Sequence, residues 1–91
     1  MVHMSTVHFT QHLRHVAPGG AVEATGTTVG AALGDVFARY PALRGYVLDD
    51  QDRLRLHIAV FVDGQHVRCN VLEHPLQQDS ELYIMQALSG G

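Results

Sequence analysis

The chain ends in LYIMQALSGG (residues 82–91), which combines a strand pattern with a carboxyl-terminal Gly-Gly. Inward and outward positions alternate from Leu82 to Met85, the period of a strand with one buried face. Glycine has no Cβ, so the pair Gly90-Gly91 can pass through a narrow channel. Such an end suits chemistry at the terminal carboxylate. The alternative is a frayed end without a role, since termini are commonly poorly ordered.

Length and composition restrict the class of protein. With 91 residues the chain has room for one domain, and 46% hydrophobic with 16% charged residues is a globular composition. No apolar run approaches the length of a membrane span, and the amino terminus lacks a signal-peptide pattern, so we expect a cytoplasmic protein without a membrane partner. The single cysteine, Cys69, excludes an internal disulfide and fits a reducing compartment.

The charges argue against a nucleic-acid partner. Net charge is −3, and the six cations are all arginines scattered along the chain, so no basic stripe forms. Lysine is absent, which excludes chains of this protein linked through its own lysine side chains.

The amino-terminal half predicts a hairpin followed by a helix. Residues 6–12 and 21–24 read as strands around a Pro-Gly-Gly turn at 18–20. One helix face is then formed by apolar residues at Val29, Leu33, Val36, Phe37 and Tyr40.

The boundaries of this helix can be predicted from its flanking residues. Thr27 or Thr28 is expected to cap its start, and Pro41 to end it, because the residue before a proline is pushed away from helical angles. Gly30 and Gly34 are unfavourable inside a helix, so we expect them to permit a close approach to the sheet.

The carboxyl-terminal half predicts three further strands. Residues 42–55 read as an irregular surface loop with one short helical turn at 42–46. Strands are predicted at 57–62, 65–69 and 81–85, and the dipeptide Asp63-Gly64 is typical of a hairpin turn. The resulting order is ββ-α-β(β)-β.

This order resembles the MoaD/ThiS family of ubiquitin-like sulfur carriers. The similarity is carried by residues 9–14, by GTTVGAAL (26–33), by residues 39–68 and by LYIMQALSGG (82–91), and it is greatest to the CysO and MoaD types. The resemblance implies an α+β β-grasp fold, a mixed sheet of four to five strands packed on one main helix. It also implies a single domain over residues 1–87 and a flexible Gly-Gly tail at 88–91.

One departure lies just before the tail. Family members often have Leu-Pro-Ala-Val before the Gly-Gly, whereas this chain has Met85-Gln86-Ala87-Leu88. The missing proline leaves this step less stiff.

The resemblance implies a carrier that is not itself an enzyme and binds no cofactor of its own. An E1-like adenylyltransferase of the MoeB/ThiF type would use ATP and Mg to adenylate Gly91, with Gly90 beside it. Sulfur from a rhodanese or a cysteine desulfurase would then form a thiocarboxylate. The acceptor would be a PLP-dependent cysteine synthase (cysteine biosynthesis) or the large subunit of molybdopterin synthase (molybdopterin biosynthesis).

Two other functions remain open. The first is a ubiquitin-like protein modifier joined through Gly91 to lysines of targets. The second is an interaction module whose Gly-Gly end has no role.

A partner-binding face is predicted on the outer side of the sheet. Ile58, Val60 and Val62 alternate inward with Leu82 and Ile84, so the outward set contains Phe61, Tyr83 and Met85, with Leu88 and Ser89 following in the tail. Exposed apolar patches commonly mark partner surfaces. The alternative is that the loop at 42–55 covers these side chains.

No metal or catalytic site is expected. His8, His12 and His15 are too far apart on a strand for one ion, since four residues span about 13 Å, so we interpret them as surface histidines. Cys69 is interpreted as a buried strand residue, because the sequence places no activating group beside it. The cluster at Asp49, Asp50 and Asp52 lacks the ligand spacing of a calcium loop and is interpreted as solvated.

Overall fold

The computed structural model describes residues 3–9 and 20–86, which form a five-stranded sheet and two α-helices. In chain order the elements are β1 (Met4–Phe9), β2 (Ala21–Thr25), α1 (Val29–Arg39), α2 (Pro41–Val47), β3 (Ile58–Val62), β4 (Gln65–Val67), a 3-10 helix (Val71–Glu73) and β5 (Ser80–Gln86).

The first and last strands lie side by side in the centre of the sheet. The strand order is β2-β1-β5-β3-β4, and β1 pairs with β5 in parallel while every other pairing is antiparallel. Val7 lies opposite Leu82 in the parallel pair. The prediction of a mixed β-grasp sheet packed on one main helix is confirmed.

One face of the sheet and one face of α1 form the core. Val7, Val60, Leu82 and Ile84 are fully buried on the sheet side, as alternation predicted for the last three. They pack with the buried helix residues Val29, Ala32, Leu33, Val36 and Phe37. Burying a side chain of this size contributes about 1.5–3 kcal/mol, so this layer supplies most of the hydrophobic stabilisation.

The ends of α1 are those that the sequence predicts. Thr28 is the N-cap, with extended backbone angles, and its hydroxyl oxygen accepts a hydrogen bond from the backbone N–H of Ala31 at 3.1 Å. At the other end Tyr40 is the C-cap and its N–H donates to the Val36 carbonyl.

The segment at 42–55 is not the surface loop predicted from its polar composition. Pro41 begins the second helix as well as ending the first, because proline suits the first helical position. Leu43 and Val47, spaced by four, are both fully buried in the core. The short helical turn predicted at 42–46 is confirmed and extended as α2, which is a structural part of the domain.

Two smaller predictions are also wrong. The strand containing Gln65 ends at Val67, so Cys69 lies outside it and is exposed rather than buried. The third strand begins at Ile58, which leaves His57 in the preceding loop. The part of the first predicted strand beyond Phe9 lies outside the described residues.

The predicted hairpin at Asp63-Gly64 is confirmed, and the Asp63 carboxylate also binds the start of β5. Both residues have positive φ, 50° and 87°, as the turn requires. The Asp63 carboxylate also accepts hydrogen bonds from the Glu81 backbone N–H at 2.8 Å and from the Ser80 hydroxyl at 3.0 Å. The β3–β4 turn thus fixes the start of β5.

The two glycines of α1 do not share the predicted role. A Cβ at Gly30 would lie 2.9 Å from the carbonyl oxygen of Leu72, so its close neighbour is the 3-10 helix and not the sheet. A Cβ at Gly34 would meet nothing within 4 Å.

Alanine substitutions at these positions should have opposite effects on stability. Gly30→Ala should lower the free energy of unfolding by about 1–3 kcal/mol, because the obstructing atom is backbone and must move. Gly34→Ala should raise it by up to about 1 kcal/mol through helix propensity. Urea unfolding of both variants measures the difference, and equal effects would show that Gly30 has no special contact.

Candidate functional site

The predicted reactive end follows the last described residue, Gln86. This residue lies opposite Ile58, the first residue of β3, so β5 ends beside the loop that precedes β3. Gly90, Gly91, Leu88 and Ser89 lie outside the described residues, and their assigned roles stay predictions.

Four aromatic and imidazole rings form a line across the open face of the sheet, opposite α1. His8 lies opposite Tyr83, Tyr83 opposite Phe61, and Phe61 opposite His66, so one ring comes from each of four neighbouring strands. We call these four residues the aromatic row. Its outer pairs are stacked, with ring centroids 4.4 Å apart for His8 and Tyr83 and 4.7 Å for Phe61 and His66.

The predicted face residues lie in this row or next to it. Tyr83 is 42% exposed and Met85 40%, whereas Phe61 is half-buried under its stacking partner. Met85 lies opposite Ala59, two residues after Tyr83 on the same face of β5. The segment at 42–55 does not cover Tyr83 or Met85, since both keep these exposures and its helix packs into the core instead.

One hydrogen bond between side chains borders the aromatic row. The His8 Nε2 lies 2.5 Å from the Glu81 Oε1 and therefore ties β1 to β5 on the open face. This contact and the stacking on Tyr83 hold the His8 ring on two sides.

A second group of exposed residues lies in the loop before β3, and the sequence prediction missed it. Residues 53–57 read Arg-Leu-Arg-Leu-His and line an open groove of about 510 Å³ together with Asp49. Leu56 has a relative exposure of 104%. The available signal was an apolar residue inside a charged run, but the sequence cannot distinguish an exposed leucine from a buried one.

A hydrogen-bonded turn organises the acidic cluster beside this groove. The Asp49 carboxylate accepts hydrogen bonds from the backbone N–H groups of Gln51 and Arg53, both at 2.9 Å, and the Arg53 Nε lies 3.3 Å from it. The Arg53 backbone N–H is the main cause that holds the pKa of Asp49 below its ordinary value of 3.8. Asp52 forms an ion pair with Arg44. Asp49 and Asp52 therefore have partners within the protein, while Asp50 and Asp52 are exposed to solvent as predicted.

Metal ligation and membrane insertion find no support in the described part of the chain. Within residues 3–9 and 20–86 no group of three or more His, Cys, Asp or Glu side chains is placed to hold a metal ion. His12 and His15 lie outside these ranges. No helix in the same ranges has the length and apolar character needed to cross a membrane.

Comparison with known proteins assigns the family. The ThiS family model matches residues 7–91, and the chain belongs to this family. The predicted family membership is thereby confirmed, and as a member the chain is a small carrier protein rather than a catalyst. The comparison with curated proteins found no match.

Solved structures with the same fold include small archaeal modifier proteins and a chain of the BexX/CysO complex. The small archaeal modifier protein SAMP1 from Methanosarcina acetivorans aligns at TM-score 0.88 and 24% identity over 100% of this chain and 99% of its own. SAMP1 from Haloferax volcanii gives 0.84 and 27% over 97% and 99%. A chain of the BexX/CysO complex from Amycolatopsis orientalis gives 0.84 and 31% over 96% and 99%.

The Asp49 carboxyl should titrate below pH 3.8 in the folded protein. Because the pKa is lowered on folding, the turn contributes stability above the ordinary pKa, and this contribution is lost as the pH falls through the folded pKa. Carboxyl-carbon NMR measures the titration. In Arg53→Gln the backbone N–H remains, so most of the lowering should persist; a midpoint at or above 3.8 in the parent protein would contradict the assignment.

Proposed function

We propose that this protein is a sulfur carrier whose Gly91 carboxylate is adenylated and then converted to a thiocarboxylate. The observation that carries the proposal is the ThiS family match, which extends through residue 91 and so includes the Gly-Gly end. The 31% identity to a chain of the BexX/CysO complex supports it.

The proposed chemistry needs no side chain of the carrier. A carboxylate oxygen of Gly91 attacks the α-phosphorus of ATP and releases pyrophosphate, which gives an acyl-adenylate. Hydrosulfide then attacks the acyl carbon, and the C–O bond to AMP breaks. Where a rhodanese or cysteine desulfurase supplies the sulfur as a persulfide, a second thiol must cleave the resulting S–S bond. In this proposal ATP and Mg are bound by the activating enzyme, and we assign the cycle to the cytoplasm.

We assign the open face of the sheet to partner binding. The aromatic row and Met85 present apolar surface on the strand that leads to the reactive end, so an enzyme bound there is close to Gly91. The activating enzyme and the sulfur acceptor would use this face in turn. A PLP-dependent cysteine synthase or a molybdopterin synthase large subunit fits the acceptor role.

A second candidate is protein modification through Gly91. The similarity to Haloferax volcanii SAMP1, a small archaeal modifier protein, favours it. Both functions begin with the same adenylate and differ in the nucleophile that displaces AMP, which is sulfide in one case and a lysine amine in the other.

Incubation with ATP, sulfide and the activating enzyme encoded in the same genome should change the intact mass by one oxygen replaced with sulfur. The matched control is the chain lacking Gly90 and Gly91, which should show no change because the acceptor carboxylate is displaced. Adducts of higher mass with lysine-containing proteins would favour the modifier. An unchanged mass with an enzyme active on another carrier would contradict both.

Substitution of Tyr83 by Asp should weaken binding of the activating enzyme by about tenfold or more, because a large exposed ring on the binding face is replaced by a charge. Its free energy of unfolding should fall by only about 1 kcal/mol, because the stacking on His8 is lost while Tyr83 is already 42% exposed. Ala42→Asp is the control, because it adds the same charge at an exposed position of α2. Phe61→Asp extends the test to the half-buried part of the row. Equal binding by Tyr83→Asp and Ala42→Asp would remove the face from the proposal.

A further inference from the structure

A fully exposed leucine lies at the end of the sheet where β5 finishes. Large exposed hydrophobic residues in the described part of the chain are Tyr46, Leu56, Tyr83 and Met85, and Leu56 exceeds the others with 104% against 40–42%. Leu56 therefore contributes almost nothing to the core, and its apolar surface is available to a partner.

The backbone around Leu56 is fixed on both sides. The Arg55 N–H donates to the Val47 carbonyl at 2.9 Å, and the Ile58 N–H donates to the Arg55 carbonyl at 3.0 Å. The Arg55 Nε also donates to the Gly45 carbonyl at 2.8 Å. These bonds tie the loop to α2 and to β3, so little backbone entropy would be lost when Leu56 enters a pocket.

The free positive charges of the described chain are found at this same end. Arg39, Arg44 and Arg53 each form an ion pair with an aspartate. Among the described residues Arg55 and Arg68 form none, although the protein carries a net charge of −3.

Arg68 is the first residue after β4. The β3–β4 pairing ends with Val67 opposite Val60, and the residue before Val60 is Ala59, which lies opposite Met85 of β5. Arg55 lies three residues before Ile58, the first residue of β3. Arg55 is thus the direct chain neighbour of Leu56, and Arg68 follows the strand pairing that ends next to Ala59; neither guanidinium forms an ion pair with a described residue.

This region is within reach of the reactive carboxylate. Gln86 pairs with Ile58, and Gly91 follows five residues later. Five extended residues span at most about 18 Å. A protein bound at Leu56, two residues before Ile58, is therefore close to the point from which the chain leads to Gly91.

We propose that Leu56, Arg55 and Arg68 form a second contact with the activating enzyme, which binds an apolar pocket bordered by carboxylates on that enzyme. We call these three residues the tail-side contact. The inference rests on the proposed function and adds to it a partner surface distinct from the aromatic row.

The chemistry of the tail-side contact favours such a partner over two others. A free nucleotide would engage the arginines but would leave Leu56 in water. A second copy related by a two-fold axis would bring Arg55 and Arg68 of one chain against the same arginines of the other, and like charges oppose such a contact. An acidic protein surface with an apolar pocket uses both the leucine and the cations.

The test is ATP–pyrophosphate exchange catalysed by the activating enzyme, with the carrier as the varied substrate. Leu56→Ala should raise KM for the carrier about tenfold, because the variant lacks the side chain that is buried when the complex forms. The kcat should stay within about twofold of the parent value. Arg55→Gln/Arg68→Gln should raise KM about threefold at low salt and flatten its salt dependence. Circular dichroism should show unchanged melting for Leu56→Ala.

Arg53→Gln is the matched control, since Arg53 lines the same groove but its charge is already balanced by Asp49. Its KM should stay within about twofold of the parent value. If Leu56→Ala and Arg55→Gln/Arg68→Gln also keep the parent KM, the inference is overturned. Exchange with the parent protein would still support the proposed function in that case. A fall in kcat alone, or a parent dimer that Leu56→Ala dissociates, would equally overturn the inference. No exchange with the parent protein would refute the proposed function and this inference together.

Discussion

The parallel pairing of β1 with β5 is the constraint on which the rest of the structure depends. It brings the beginning and the end of the chain together in the centre of the sheet, with Val7 opposite Leu82. Parallel neighbours cannot be joined by a tight turn, so the intervening chain must cross over, and α1 does so on one face. Neither helix of residues 3–9 and 20–86 covers the other face. The asymmetry between a buried face and an open face follows directly from this pairing.

The pairing also couples the core to the surface contacts. Ser80 and Glu81 at the start of β5 are held by Asp63, and Glu81 in turn binds His8 on the open face. The inward residues of β5 stabilise the fold, while its outward residues, Tyr83 and Met85, are left exposed. Stability and recognition are thus assigned to alternate residues of one strand, because successive side chains point to opposite sides of a sheet.

Local signals in the sequence predicted the sheet and the first helix well. The alternation in β3 and β5, the cap at Thr28 and the turn at Asp63 each depend on neighbouring residues alone. The second helix was predicted only as a turn at 42–46 within a surface loop. It is short and contains Gly45, so the spacing of Leu43 and Val47 was the only signal of its place in the core. The exposure of Leu56 and of Cys69 could not be predicted, because burial is decided by which elements lie nearby in space. The aromatic row likewise needed the register of four strands.

The central position of β5 has a mechanical consequence. Its hydrogen bonds to β1 and β3 run across the strand on both sides, from Ser80 to Gln86. A force applied along the chain from its carboxyl end therefore loads these bonds together in shear instead of opening them one after another. An enzyme could draw the terminus into its active site and strain it there without unravelling the domain behind it. The domain therefore stays folded while its last residues are held under load.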